Sequence, residues 1–129
     1  MAYGFDHAHI KCSDPRKTAK WWADTFQAKL LPETQASGGP LFCPIEIGGV
    51  KINITTPRGH EMSAIVEGYA GPRYGLEHLG ITTDNIDADL ARLRAQGLKV
   101  FEVNETPRLK FAFVETPDNV RVELMQRLG

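Results

Sequence analysis

The sequence predicts an α+β fold made of two tandem βαβββ modules, and three observations predict it. Phe5-Asp6-His7-Ala8-His9-Ile10 has a partner in Leu76-Glu77-His78-Leu79-Gly80-Ile81, with His7 and His78 standing 71 positions apart. Val50-Lys51-Ile52-Asn53-Ile54-Thr55 has a partner in Val120-Arg121-Val122-Glu123-Leu124-Met125, with Asn53 and Glu123 70 positions apart. Two matched anchors in one order, at nearly one offset, mark a supersecondary unit used twice. The third observation is the stretch 57–75, which holds Pro57, Gly59, Gly68, Gly71, Pro72 and Gly75. Irregular stretches of that length link units or cover a site. The chain therefore reads as one domain over 1–129, with a first module at 4–57, a linking loop at 58–75 and a second module at 76–126.

Each element has its own signal. Residues 4–12 alternate and stop at Ser13-Asp14-Pro15, a strand ending where a helix starts, with Asp14 as cap and Pro15 in the first helical position. From Arg16 to Gln27, Ala19, Trp22, Ala23 and Phe26 recur at helical spacing and form one buried face. Lys29–Glu33 reads as a short strand and Ser37-Gly38-Gly39-Pro40 as a loop. Two alternating runs, 41–47 and 50–56, meet at Gly48-Gly49, a hairpin signal because the tight turn needs positive φ. The second module restarts with a strand at 76–83. A helix at 85–96 follows, with Ile86, Leu90 and Leu93 on one face and Gly97 closing it. Strands follow near 98–103, 109–115 and 120–126, the last two joined across Thr116-Pro117-Asp118-Asn119.

The gross composition excludes more than it selects. With 42% apolar and 24% charged residues, 129 residues suit an ordinary globular domain. A formal charge of −1 gives no electrostatic reason for nucleic acid or an anionic membrane as partner. There is no long apolar run and no signal-peptide pattern, which reads as a soluble cytoplasmic protein. Cys12 and Cys43 read as reduced thiols rather than a disulfide framework, and the absence of CxxC argues against thiolate metal binding.

Side chains alternate across a strand, so each strand commits one parity to the helix layer. Ala8, Ile10, Cys43, Ile45, Ile47, Val50, Ile52, Ile54, Leu79, Ile81, Ala112, Val114, Val122 and Leu124 fit that side. The opposite face then carries His7, His9, Glu46, Asn53, His78, Arg121 and Glu123, interleaved with Phe111, Phe113 and Met125. A solvated face more usually reads as Lys, Glu and Thr. Two histidines at equivalent positions, with a carboxylate on the last strand, read as convergent metal ligands. Imidazole nitrogen with carboxylate oxygen suits Zn, Fe, Mn, Ni or Co.

The segments FDHAHIKCSDP, LEHLGITTDNID and ETPDNVRVELMQ resemble the vicinal oxygen chelate superfamily. That superfamily includes glyoxalase I, methylmalonyl-CoA epimerase, fosfomycin-modifying enzymes, extradiol dioxygenases and bleomycin-binding proteins. The resemblance spans essentially the whole chain. It implies a curled mixed sheet forming a cup around one divalent metal (Zn, Ni, Co, Mn or Fe). It also implies a homodimer, with the cup closed either within a chain or across two.

Carried over by position, the resemblance puts the metal ligands at His7, His78 and Glu123. A possible fourth metal position falls on Asn53, where glyoxalase I and the epimerase have an acid. An amide is a weak ligand and moves no proton, so a glyoxalase-like base is missing there. Pro44-Ile45-Glu46-Ile47-Gly48-Gly49 resembles a stretch of the fosfomycin-modifying branch whose Glu is the base in hydrolytic members, which implies Glu46 as catalytic base. His9, on the same face, is the second catalytic candidate, and Phe111, Phe113, Arg121 and Met125 are the substrate-binding candidates. That branch's cation-binding loop is not recognisable here. The expectation is a divalent-metal-dependent lyase or isomerase acting on a small substrate with vicinal oxygens. Two alternatives stand beside it: an Fe(II) extradiol-type dioxygenase on the same three ligands, and a metal-free drug-sequestering protein of the bleomycin-resistance kind.

Overall fold

The computed structural model describes residues 2–129. The chain forms two compact units, Met1–Val66 and Glu67–Gly129. The first contains β1 (His7–Lys11), α1 (Pro15–Phe26), β2 (Lys29–Leu30), β3 (Thr34–Gln35), β4 (Leu41–Phe42), β5 (Ile45–Ile47) and β6 (Val50–Thr55). The second contains β7 (Leu79–Thr82), α2 (Ile86–Ala95), β8 (Val100–Glu105), β9 (Leu109–Thr116) and β10 (Val120–Arg127).

Both units are the same α+β motif. In the second, β7 lies parallel to β10, and β9 and then β8 follow antiparallel. In the first, β1 lies parallel to β6. The other side of β6 pairs antiparallel with β5 and then β4, which in turn pair with β2 and β3. The expected strand 41–47 is thus broken into two short pieces, and the expected strand Lys29–Glu33 keeps only Lys29–Leu30, with β3 following beyond it. Pro32 and Pro44 stand in the breaks, and a proline cannot donate to a ladder. The break is closed by Leu31 N–H donating to Pro44 O at 2.9 Å and Cys43 N–H donating to Ile54 O at 2.8 Å.

Local chemistry sets the element ends. Asp14 caps α1 by accepting from Lys17 N–H at 3.2 Å, and Pro15 opens the helix. Asn85 caps α2 by accepting from Ala88 N–H at 3.1 Å. Asp87 and Asp89 at its start and Arg92 and Arg94 at its end complement the helix dipole. Gly97, at φ 83°, closes it. Gly48 and Gly49, at φ 56° and 82°, form the two-residue turn between β5 and β6, as their sequence implies.

Each core lies between one helix and one sheet. α1 packs Ala19 and the fully buried Trp22 toward Ile45, Ile52 and Ile54, while α2 packs Ile86, Leu90 and Leu93 toward β8 and β10 with Val122 and Leu124. Several sequence expectations change here. β1 starts at His7, leaving Phe5 outside it and exposed, and β7 starts at Leu79, leaving His78 one residue before the strand. Val50, assigned to the helix side, is exposed at the hairpin end, beyond the reach of α1. Asn53, Phe113 and Arg121, assigned to the open face, are buried, Arg121 against the rings of Phe101 and Phe113. Among the described residues no helix is long and apolar enough to cross a membrane.

Candidate functional site

Strand register aligns the candidate residues in rows. In the second unit, Gly80, Glu123, Phe113 and Phe101 lie side by side across β7, β10, β9 and β8. Thr82, Met125 and Phe111 form the next row. His78 precedes Gly80 by two residues, so it shares the face of Glu123. Its Nε2 stands 3.4 Å from Glu123 Oε1. Gly80 keeps that spot open, since a Cβ there would meet only Glu123 Oε1 and Met125 Sδ, each at 3.7 Å.

The proton inventory of His78 gives this spacing meaning. Its Nδ1 lies 3.0 Å from Glu77 Oε1. That hydrogen bond, followed by one from the Arg73 backbone N–H, holds the Glu77 carboxyl below its ordinary pKa. An ionised carboxylate only accepts, so Nδ1–H donates and Nε2 is the ring atom that faces Glu123. A lone pair facing a carboxylate oxygen is stable only with a proton or a cation between them. Two ligands held about 2.0–2.2 Å from one ion stand roughly 3–3.5 Å apart, so the pair fits a metal. Phe113 walls the site, its ring centroid 5.1 Å from that of His78 and edge-on to it.

The first unit repeats the arrangement with different residues. His7 lies beside Lys51 and His9 beside Asn53 in the β1–β6 register. Asp6 takes the place of Glu77: its Oδ2 lies 2.6 Å from His7 Nδ1, and this bond lowers the pKa of its carboxyl. Nδ1–H donates here too, which leaves Nε2 outside this bond. Asn53 stands where the second unit has Glu123. It is buried, and its Oδ1 has no hydrogen-bond partner among the described residues. An orphaned buried acceptor is costly, and a cation or a water satisfies it. His9 stands where the second unit has Gly80. Its Nε2 lies 2.8 Å from Thr55 Oγ1, and Phe42 lies edge-on to it. Partial burial, then the charges of Lys11 and His7, push its pKa down and keep the ring neutral. Glu46, half-buried on β5, pairs in register with Lys51 and Lys29.

The structure thus gathers His78, Glu123, Phe111, Phe113 and Met125 on one face of the second unit. His7, His9, Asn53 and Glu46 share one face of the first. Among the described residues, no group of three or more His, Cys, Asp or Glu is close enough to hold a metal ion. Arg121 has a different setting from its companions. It is buried, with its guanidinium 4.0 Å from the Phe113 centroid and 4.6 Å from that of Phe101. Its Nη1 donates to Ala70 O and its Nη2 to Glu102 Oε2, both at 3.1 Å. These contacts leave it as a strut under the aromatic wall. Asp6, Glu77 and Gly80 are the site residues that motif reasoning passed over. The signal was present, because an acid precedes the histidine in both halves of the repeat.

Residues 4–124 match the Glyoxalase/Bleomycin resistance protein/Dioxygenase superfamily. No protein of curated function matches the chain. A glyoxalase family protein from Bacillus cereus has a similar structure, with a TM-score of 0.83 at 14% identity, over 100% of this chain and 97% of that one. The genomically encoded fosfomycin resistance protein FosX from Listeria monocytogenes superposes with a TM-score of 0.72 at 18% identity, over 98% and 94% of the two chains. TnmS3, an antibiotic binding protein from Streptomyces sp. CB03234, does so with a TM-score of 0.69 at 23% identity, over 98% of each. These likenesses carry the fold. The repeated βαβββ topology, the paired histidines and the match over residues 4–124 lead to one conclusion: this chain belongs to the Glyoxalase/Bleomycin resistance protein/Dioxygenase superfamily.

Proposed function

We propose that this protein is a divalent-metal-dependent enzyme, a lyase or isomerase, acting in the cytoplasm on a small substrate with two adjacent oxygens. The observation that carries the reading is the 3.4 Å spacing of His78 Nε2 and Glu123 Oε1, with His78 Nδ1 tied back to Glu77. In this reading His7 supplies the third ligand through its own Nε2, and the orphaned Oδ1 of Asn53 supports a fourth, weaker contact. The reading also takes the protein to be a homodimer.

A divalent ion bound there supplies Lewis acidity toward the substrate oxygens and stabilises the negative charge that develops on them. The protein's side chains do the rest. Phe111, Phe113 and Met125 give the substrate an apolar wall beside the ligands and exclude water from it. His9 offers a neutral imidazole two residues from His7, with Nε2 at Thr55 and Nδ1 left to accept a proton. Glu46 is the alternative base, standing in register with Lys29 and Lys51. Asn53 cannot act as a base, so the proton moves through one of these two groups.

The test is elemental analysis and Zn²⁺ titration of protein purified without chelators, beside His7→Ala, His78→Ala and Glu123→Ala. About one metal per chain, lost in all three variants, is the result expected of a catalytic site with three protein ligands. Iron, with oxygen uptake on a catechol-like compound, would move the reading to the dioxygenase class. A second reading, metal-free sequestration of an aromatic drug, is favoured by the Phe101–Phe113 stack, 6.2 Å apart at 20°. Under that reading ligand binding survives removal of all metal.

A further inference from the structure

The two histidines are tethered alike but anchored unequally. Asp6, behind His7, has a side chain 82% exposed. Glu77, behind His78, is 28% exposed and is held from two further directions. Its Oε2 accepts from Arg73 N–H at 3.3 Å, and its Oε1 lies 3.5 Å from Arg121 Nε. Arg121 is itself immobilised by Ala70 O, by Glu102 and by the rings of Phe101 and Phe113, and its Nε has no hydrogen-bond partner among the described residues. Glu102 reaches it from a bulge in β8, where its backbone holds a left-handed φ of 55°, an unusual conformation for a residue with a side chain. Phe113 meets both groups, its centroid 4.0 Å from the guanidinium and 5.1 Å from that of the His78 ring. A buried cation therefore stands directly behind the carboxylate that orients His78. Among the described residues nothing comparable is seen behind Asp6: the basic residue at the equivalent register position, Lys51, is exposed.

We propose that Glu77, anchored by Arg121, is the positioning residue for His78, and that it makes His78 the dominant histidine ligand and His7 the adjustable one. The inference rests on the metal-site reading above and specifies which side chain prepares that site. A carboxylate behind a ligating imidazole fixes its tautomer and raises its basicity, and its loss lowers metal affinity about 10–100-fold. An exposed tether in water contributes little.

Two measurements test this. In the metal-free protein, ¹⁵N NMR of the His78 ring should show the Nδ1–H tautomer, and Glu77→Ala should convert it to a mixture rich in Nε2–H. In Zn²⁺ titrations, Glu77→Ala should weaken binding about 10–100-fold, whereas Asp6→Ala should change it only a few-fold at most. Glu77→Gln, of the same shape, should give a smaller loss in the same direction and carries the test if the alanine variant unfolds. An unchanged His78 tautomer, or an Asp6→Ala loss as large as that of Glu77→Ala, overturns the proposal. If the wild-type protein takes up no Zn²⁺, the metal reading falls with it, and the tautomer result still decides whether Glu77 positions His78.

Discussion

His78 Nε2 and Glu123 Oε1 stand 3.4 Å apart on parallel, adjacent segments, with glycine at the next position of the same face. In the other half of the repeat the equivalent strands carry His7 and Asn53, with His9 in the glycine's place. One motif used twice has thus diverged: a histidine–carboxylate pair in the second unit and a histidine-rich, amide-bearing face in the first.

The charge of Glu123 is central to that pair. Glu123→Gln keeps the shape of the side chain and removes the anion. Metal affinity should fall by at least about 100-fold, since a deprotonated carboxylate is the ligand form. Because Glu123 is only half-buried, thermal stability should change little. Isothermal titration with Zn²⁺ and a melting curve separate the two effects.

Gly80 offers a cleaner split between folding and binding. A methyl group there makes only ordinary contacts at 3.7 Å, so Gly80→Ala should fold and gain about 0.4–1 kcal/mol by restricting the unfolded chain. Gly80→Val adds two methyls beside the Glu123 carboxylate and should weaken Zn²⁺ binding while keeping the strand intact. A valine variant that bound metal like the wild type would show that this gap is not part of the site.

Acid should loosen the first unit at a definite place. Lys11 Nζ donates to Glu61 Oε1 at 2.6 Å, joining β1 to the turn at Gly59–Glu61, and this bond, with those from the Arg58 backbone and side chain, pulls the Glu61 pKa from 4.5 down to about 2. A depressed carboxyl stabilises the folded state above its unfolded pKa and loses that contribution as protons bind. The stabilisation is therefore complete above about pH 5 and fades as pH falls from about 4.5 toward 2. Hydrogen exchange at residues 59–65 should quicken over that range in the wild type, and Glu61→Gln should show the fast exchange already at pH 7.

The core of the first unit depends on Trp22, which is fully buried against Phe26 at 5.2 Å between ring centroids. Trp22→Ala should cost about 3–5 kcal/mol. Trp22→Phe should cost less, because it keeps an aromatic ring and removes an indole N–H that has no partner among the described residues. Denaturant unfolding of the two variants checks the order.

Sequence alone determined the repeat, both helices with their caps, the Gly48-Gly49 turn and the parity of most strands. Those features follow from local signals: periodicity, capping side chains and positive-φ glycines act within a few residues. It also placed His7, His78 and Glu123 on the open face, because alternation along a strand fixes facing whatever the partner. Tertiary structure decided what alternation cannot. Register put Gly80 beside Glu123 and His9 beside Asn53, and it set Arg121 behind Glu77 and under Phe113. It also buried Asn53 and Arg121 on a face whose pattern reads as open, and the cover over Arg121 comes from Phe101, Phe113 and Ala70, 8 to 51 positions away. Hydrogen bonds and ion pairs between such distant residues depend on distances of a few tenths of an ångström, and only the packed chain sets those.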